Sequence, residues 1–146
     1  MPIHGNGGHG AVIREFAHLP LDGWIVAVGD NAARQKESRR YTRFAPAQIH
    51  PRAWVSPSAV LGDGTVVMAG AIVQARAVIG KHVIINTGAT VDPDCVIEDF
   101  AHIAPGVHLC GGVHIGEGAL VGVGSCAVPG ARVSPWIVIP AGSVIK

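Results

Sequence analysis

Large aliphatic residues recur at every sixth position from Ile49 to Ile145. The series runs Ile49, Val55, Leu61, Val67, Val73, Ile79, Ile85 and on through Ile97, Ile103, Leu109 and Ile115, with only Ala127 small and no insertion breaking the phase. A second, mostly small series follows four residues behind: Ala53, Ala59, Thr65, Ala71, Ala77, then Ala89, Cys95 and Ala101 among others. A period of six fits neither a helix, which repeats every 3.6 residues, nor a simple strand, which alternates every two. It is the signature of a parallel β-helix built from hexapeptides. Each hexad supplies one short strand and one corner, and three hexads close a triangular coil, so this length gives about five coils. A single coil buries little; stacking turns the inward aliphatics into one continuous column. Glycine, Asp and Pro gather where corners belong, as in Gly62-Asp63-Gly64, Gly116-Glu117-Gly118 and Pro129-Gly130.

Residues 1–44 lack this pattern and form a separate, abbreviated α/β segment ahead of the β-helix at 45–146. Gly5-Asn6-Gly7-Gly8-His9-Gly10 precedes Ala11 to Leu19, which reads as a short helix. Glycines there let a backbone approach a phosphate at a helix N-terminus, although an ordinary tight turn has the same composition. Trp24 to Val28 reads as a buried strand, and Gly29-Asp30-Asn31 caps a helix from Ala32 to about Arg40. Such a strand-turn-helix unit is typical of nucleotide-binding α/β folds. The basic residues Arg34, Lys36, Arg39, Arg40 and Arg43 read as a solvated helix face. A fragment of this size cannot bury a core alone and must lean on the first coils or on a neighbouring subunit.

Composition narrows the function. The net charge is +1, which marks the chain for neither nucleic acid nor an anionic membrane. No apolar run is long enough for a bilayer, and the start lacks a signal-peptide layout, so a cytoplasmic location is expected. Cys95, Cys110 and Cys126 are odd in number and show no zinc spacing, which predicts reduced, structural thiols. His102, His108 and His114 invite a metal reading. Their six-residue spacing sends them to successive faces of the triangle, however, so one chain cannot converge them on a metal. His4, His18, His50 and His82 read as surface or turn residues; His9 stands out through its glycine motif.

Gly5–Gly10, Val26–Asn31, Asn86–Ala89, Asp94–Ile97, Phe100–Gly106 and Gly111–Gly116 together carry a resemblance. The chain resembles bacterial hexapeptide acyltransferases of the sialic-acid O-acetyltransferase type, which include acetyl-CoA-dependent N-acetyltransferases of UDP-linked amino sugars. The resemblance covers nearly the whole chain. It implies left-handed β-helices assembled as a homotrimer, with sites between neighbouring subunits. It implies acetyl-CoA as acyl donor, with His102, Val123 and Ala141 touching it; no metal is expected, on the histidine spacing above. It places Gly7, Gly8, His9 and Gly29 around the nucleotide sugar, and it matches Asp94 to the acidic residue that makes the catalytic histidine more basic.

Three departures accompany the match. The family's general base precedes that acidic residue, where this chain has Pro93. The family has a further strand and an acidic loop between Pro20 and Asp22, and it continues past Lys146 through a segment that covers CoA. A proline cannot take a proton, which makes His102 the nearest substitute base. Residues eighteen apart stack on one face, so 84, 102 and 120 line up while Asp94 does not join them; a His102–Asp94 pair would have to form across a subunit contact. Two functions are therefore expected in competition: an acyltransferase acting on a nucleotide-linked amino sugar, or a catalytically impaired relative serving as a ligand-binding or oligomeric scaffold.

Overall fold

The computed structural model describes residues 2–17 and 22–146. It opens with β1 (Ile3–His4), α1 (Gly8–Phe16), β2 (Ile25–Val26) and α2 (Asn31–Ser38). Then come two-residue strands at six-residue intervals, from β3 (Gln48–Ile49) to β19 (Val144–Ile145). They stack as three parallel sheets of six, six and five strands. Each strand pairs with the strand eighteen residues on, as His102↔Leu120 and Ile103↔Val121 do. The chain is a left-handed parallel β-helix.

The second residue of every one of these strands belongs to the aliphatic series, so the six-residue period is the period of inward side chains. From Val67 through Ala127 that column is almost fully buried. The small series lies inside the corners, with Ala71, Ala77, Ala89, Cys95 and Ala101 all inaccessible to solvent. Its two buried hydroxyls are satisfied by backbone. Thr65 Oγ1 donates to the Gly80 carbonyl at 2.7 Å and accepts from Val83 N at 3.0 Å. Ser125 Oγ donates to the Pro140 carbonyl and accepts from Ser143 N. Buried polar groups matched in this way avoid the desolvation penalty of an unmet hydrogen bond.

One corner column has left-handed backbone at Gly64, His82, Phe100, Gly118 and Trp136, each eighteen residues from the next. Only Gly118 has the Trp136 ring lying directly on it: an added Cβ would come within 2.2 Å of that ring. Three aromatic side chains fill the column below. Phe44 meets the His82 ring edge-on, and His82 stacks on Phe100 with centroids 4.9 Å apart.

The N-terminal unit differs in detail from expectation. Helix α1 begins at Gly8, inside the glycine cluster, because glycine lets the chain turn directly into the helix there. Its expected continuation to His18 and Leu19, and the departure between Pro20 and Asp22 up to residue 21, lie outside the described residues. The strand from Trp24 shortens to Ile25–Val26, with Trp24 held by a single bridge to Phe44. As its size demanded, this unit leans on the β-helix: Ile13, Phe16, Ile25 and Ala27 share a core with Val66, Met68 and Ile84 of one face.

Shortening an inward side chain at mid-column removes contacts with the coils above and below. Ile103→Ala is expected to lower stability by about 2–5 kcal/mol, read as a shift of the denaturant midpoint. The outward, exposed Val138→Ala should stay within about 0.5 kcal/mol of the parent.

Candidate active site

The face formed by β3, β6 (Val66–Val67), β9 (Ile84–Ile85), β12 (His102–Ile103), β15 (Leu120–Val121) and β18 (Val138–Ile139) carries the N-terminal unit. On this side Arg34 of α2 hydrogen-bonds to Gly29 after β2, and its charge acts on His9 in the first turn of α1 and on His102 of β12.

His102 is held at one ring nitrogen. Its Nε2 lies 3.0 Å from Asn86 Nδ2. Asn86 Oδ1 already accepts the Thr87 N–H at 2.8 Å, which aims the Asn86 amide N–H at the imidazole lone pair. The Asn86 donor selects the tautomer with its lone pair at Nε2. Burial pushes the His102 pKa down to about 4, the Arg34 and His9 charges push the same way, and the Gly29 bond opposes them. His9 falls to about 4 for the same leading reason, burial, aided by Arg34. Both imidazoles are therefore neutral at physiological pH, and the His102 Nε2 lone pair receives the Asn86 amide N–H.

Arg34 overturns the expectation of a solvated basic face. Lys36, Arg39, Arg40 and Arg43 are exposed as expected, but Arg34 is only 1% exposed. Its Nε donates to the His82 carbonyl at 2.9 Å. Nη1 donates to the carbonyls of Val28 and Gly29, at 2.9 and 3.1 Å. Nη2 donates to the Phe100 carbonyl at 2.7 Å and to Asn31 Oδ1 at 2.8 Å. Asn31 in turn donates through Nδ2 to the Gly118 carbonyl at 3.0 Å. The inward stripe of α2 is Asn31, Arg34 and Ser38, all polar. A hydrophobic-period reading finds no such stripe; the signal available was the helical spacing of those three polar residues behind the Asp30 cap.

The remaining expected site residues fall into separate groups. Gly7, Gly8 and Gly29 are exposed around His9. Val123 and Ala141 are exposed on successive coils at the corner that follows the His102 face, with Gly142 N donating to the Val123 carbonyl. Asp94 is not brought to His102. It sits at a different corner, in left-handed backbone, and takes Arg76 in a two-point ion pair at 2.7 and 2.9 Å. That hydrogen-bonded guanidinium holds the Asp94 carboxyl below its ordinary range.

His102, His108 and His114 lie on three different faces, as their spacing requires. His108 accepts or donates at Thr90 Oγ1, and His114 Nε2 pairs with Glu98 at 2.7 Å. His82 departs from its expected surface reading: it is 4% exposed, and burial, followed by Arg34, lowers its pKa to about 4. Of the three thiols, Cys95 alone is buried, with Sγ donating to the Cys110 carbonyl; Cys110 is half-buried and Cys126 exposed. No helix among the described residues is long and apolar enough to cross a membrane.

The family described as bacterial transferase hexapeptide (six repeats) matches residues 58–93. The chain is 35% identical to the acetyltransferase domain of PglB from Neisseria gonorrhoeae FA1090, over 99% of this chain and 89% of that one, with a TM-score of 0.89. That domain has also been solved in complex with acetyl coenzyme A. PerB from Caulobacter crescentus, solved in complex with CoA and GDP-perosamine, is 34% identical over 99% of this chain and 87% of that one, with a TM-score of 0.90. A comparison with curated protein sequences gave no match. The chain belongs to the hexapeptide-repeat acyltransferases.

The buried, neutral His82 makes stability depend on pH. In the unfolded chain a histidine takes its proton near 6.5; folded, His82 takes it only near 4. The unfolded state therefore binds more protons between those values, and stability falls as pH drops from 6.5 toward 4, then levels off. Denaturant midpoints measured across that range should show the decline. His82→Phe, which keeps a ring between Phe44 and Phe100, should make it shallower, leaving the parallel contributions of His9 and His102.

Proposed function

We propose that this protein transfers the acetyl group of acetyl-CoA to the amine of a nucleotide-linked amino sugar, in bacterial glycan or surface-polysaccharide synthesis. The observation that carries this reading is the 35% identity, over 99% of the chain, to an acetyltransferase domain that binds acetyl coenzyme A and to a perosamine N-acetyltransferase that binds CoA and GDP-perosamine. In this reading residues 1–44 hold the nucleotide sugar and 45–146 hold the acyl donor. Gly7, Gly8 and Gly29 offer exposed backbone, and His9 a neutral imidazole, to the nucleotide sugar. Val123 and Ala141 border the donor along their shared corner. The working assembly is a homotrimer in the cytoplasm, with each site completed at a subunit contact.

The chemistry needs a deprotonated amine, a polarised thioester carbonyl and alignment of the two. The amine nitrogen forms a bond to the acetyl carbon, the carbon–sulfur bond breaks, and CoA leaves as its thiol. The amine's proton must go to a base. With Pro93 at the usual base position, His102 is the base in this reading, since its Nε2 lone pair faces outward to Asn86 and an incoming amine can displace that contact. Its low pKa makes it a weak base, so alignment carries much of the rate. Asp94, tied to Arg76, would reach the reacting groups from a neighbouring subunit. Pro93 favours one competing reading, a scaffold that binds ligands without turnover.

An acetylation assay over UDP- and GDP-linked amino sugars separates the two. For an acyltransferase, the unmodified chain releases CoA, and His102→Ala loses about 100-fold or more in kcat/KM. Pro93→His raises kcat, by up to the roughly 100- to 10,000-fold that a positioned base contributes. If the unmodified chain neither turns over nor binds CoA, the acyltransferase reading fails. If it binds CoA without turnover and Pro93→His restores the reaction, the scaffold reading holds.

A further inference from the structure

We propose that Arg34 is the positioning residue of this site: its guanidinium fastens the Gly29 turn and α2 to two successive coils and thereby fixes the N-terminal unit beside His102. Three things carry the inference. The first is burial without a carboxylate. No acidic oxygen lies within ion-pair distance of Arg34 among the described residues, and its acceptors are the carbonyls of Val28, Gly29, His82, Phe100 and Ala101 with Asn31 Oδ1. A buried guanidinium is expensive unless its donors are satisfied, and here the fork geometry is used on all three nitrogens.

The second is what those acceptors join. Val28 and Gly29 belong to the N-terminal unit, whereas His82 and Phe100 occupy stacked corners of the β-helix. One side chain thus bridges the seam. The third is that Gly29, whose carbonyl accepts from Arg34 Nη1 at 3.1 Å, is also the backbone group that favours the protonated His102 ring. The surroundings of His102 are therefore tied to the residue that fixes the Gly29 turn.

The charge has a second effect. Burial lowers the Arg34 pKa to about 10, with Asp30 opposing, so the group stays cationic at neutral pH. The charged groups acting on His102 are Arg34 from α2 and His9 from α1, and the one acting on His9 is Arg34. Each disfavours a further positive charge, so both imidazoles keep their lone pairs. The fastening does not rest on the acyltransferase reading; its service to catalysis does.

The test compares Arg34→Gln and Arg34→Lys in the full-length chain by NMR titration of ring-labelled histidine, with amide exchange over residues 25–40. Loss of charge and fork in Arg34→Gln should raise the His9 and His102 midpoints by at least about half a unit from their values near 4. Arg34→Lys keeps the charge and loses the fork, so midpoints should rise less while amides of α2 exchange faster. Asn31→Ala removes the one side-chain acceptor and should give a milder loosening, which keeps the inference testable if Arg34→Gln is insoluble. Unchanged midpoints together with unchanged exchange in the folded variants would overturn it. Shifted midpoints in a chain that acetylates no nucleotide sugar would leave Arg34's role standing and remove the proposed reaction instead.

Discussion

Every side chain in the β-helix has its neighbours fixed at a separation of eighteen residues. Parallel pairing in register enforces this, because each strand hydrogen-bonds to the strand one full coil away. The inward column, the small residues in the corners and the left-handed corner positions all follow from it. So does the location of the candidate site, since the face built on Ile84, His102 and Leu120 is continuous and the N-terminal unit closes over part of it. His102, on this face, is half-buried.

The two parts of the chain are held to each other by different physics. Ile13, Phe16 and Ile25 pack on Val66, Met68 and Ile84 by ordinary apolar burial. Beside them, α2 docks through Asn31 and Arg34 onto backbone carbonyls of the corners. Apolar contact supplies driving force without direction; the polar dock supplies direction. A site made from His9, Gly29 and His102 needs direction, because a displacement of one ångström would separate a proton donor from its acceptor.

The β-helix was legible in the chain because its core is written in a fixed period that no insertion interrupts, and the stacking of 84, 102 and 120 followed from that period alone. The candidate site was legible only in pieces. The motifs around Gly5–Gly10 and Phe100–Gly106 pointed to His9 and His102, but nothing in spacing joined residues ninety positions apart; the docking of α2 does that. Arg34 was hidden for a definite reason. It sits in a run of basic residues whose other members are exposed, and its inward stripe is polar, so both charge and hydropathy argued for solvent. His82 was hidden likewise, because a histidine at a corner gives no sign that Phe44 and Phe100 will enclose it.

Five of the six groups that receive Arg34's hydrogen bonds are main-chain carbonyls. Main chain persists whatever side chain a position bears. Val28 and Phe100 can therefore drift in identity without depriving the guanidinium of its acceptors, provided the corner keeps its path. The joint between the two units is thus tolerant of substitution on one side and dependent on a single side chain on the other, so homologous chains could exchange β-helix surfaces freely while the arginine stays.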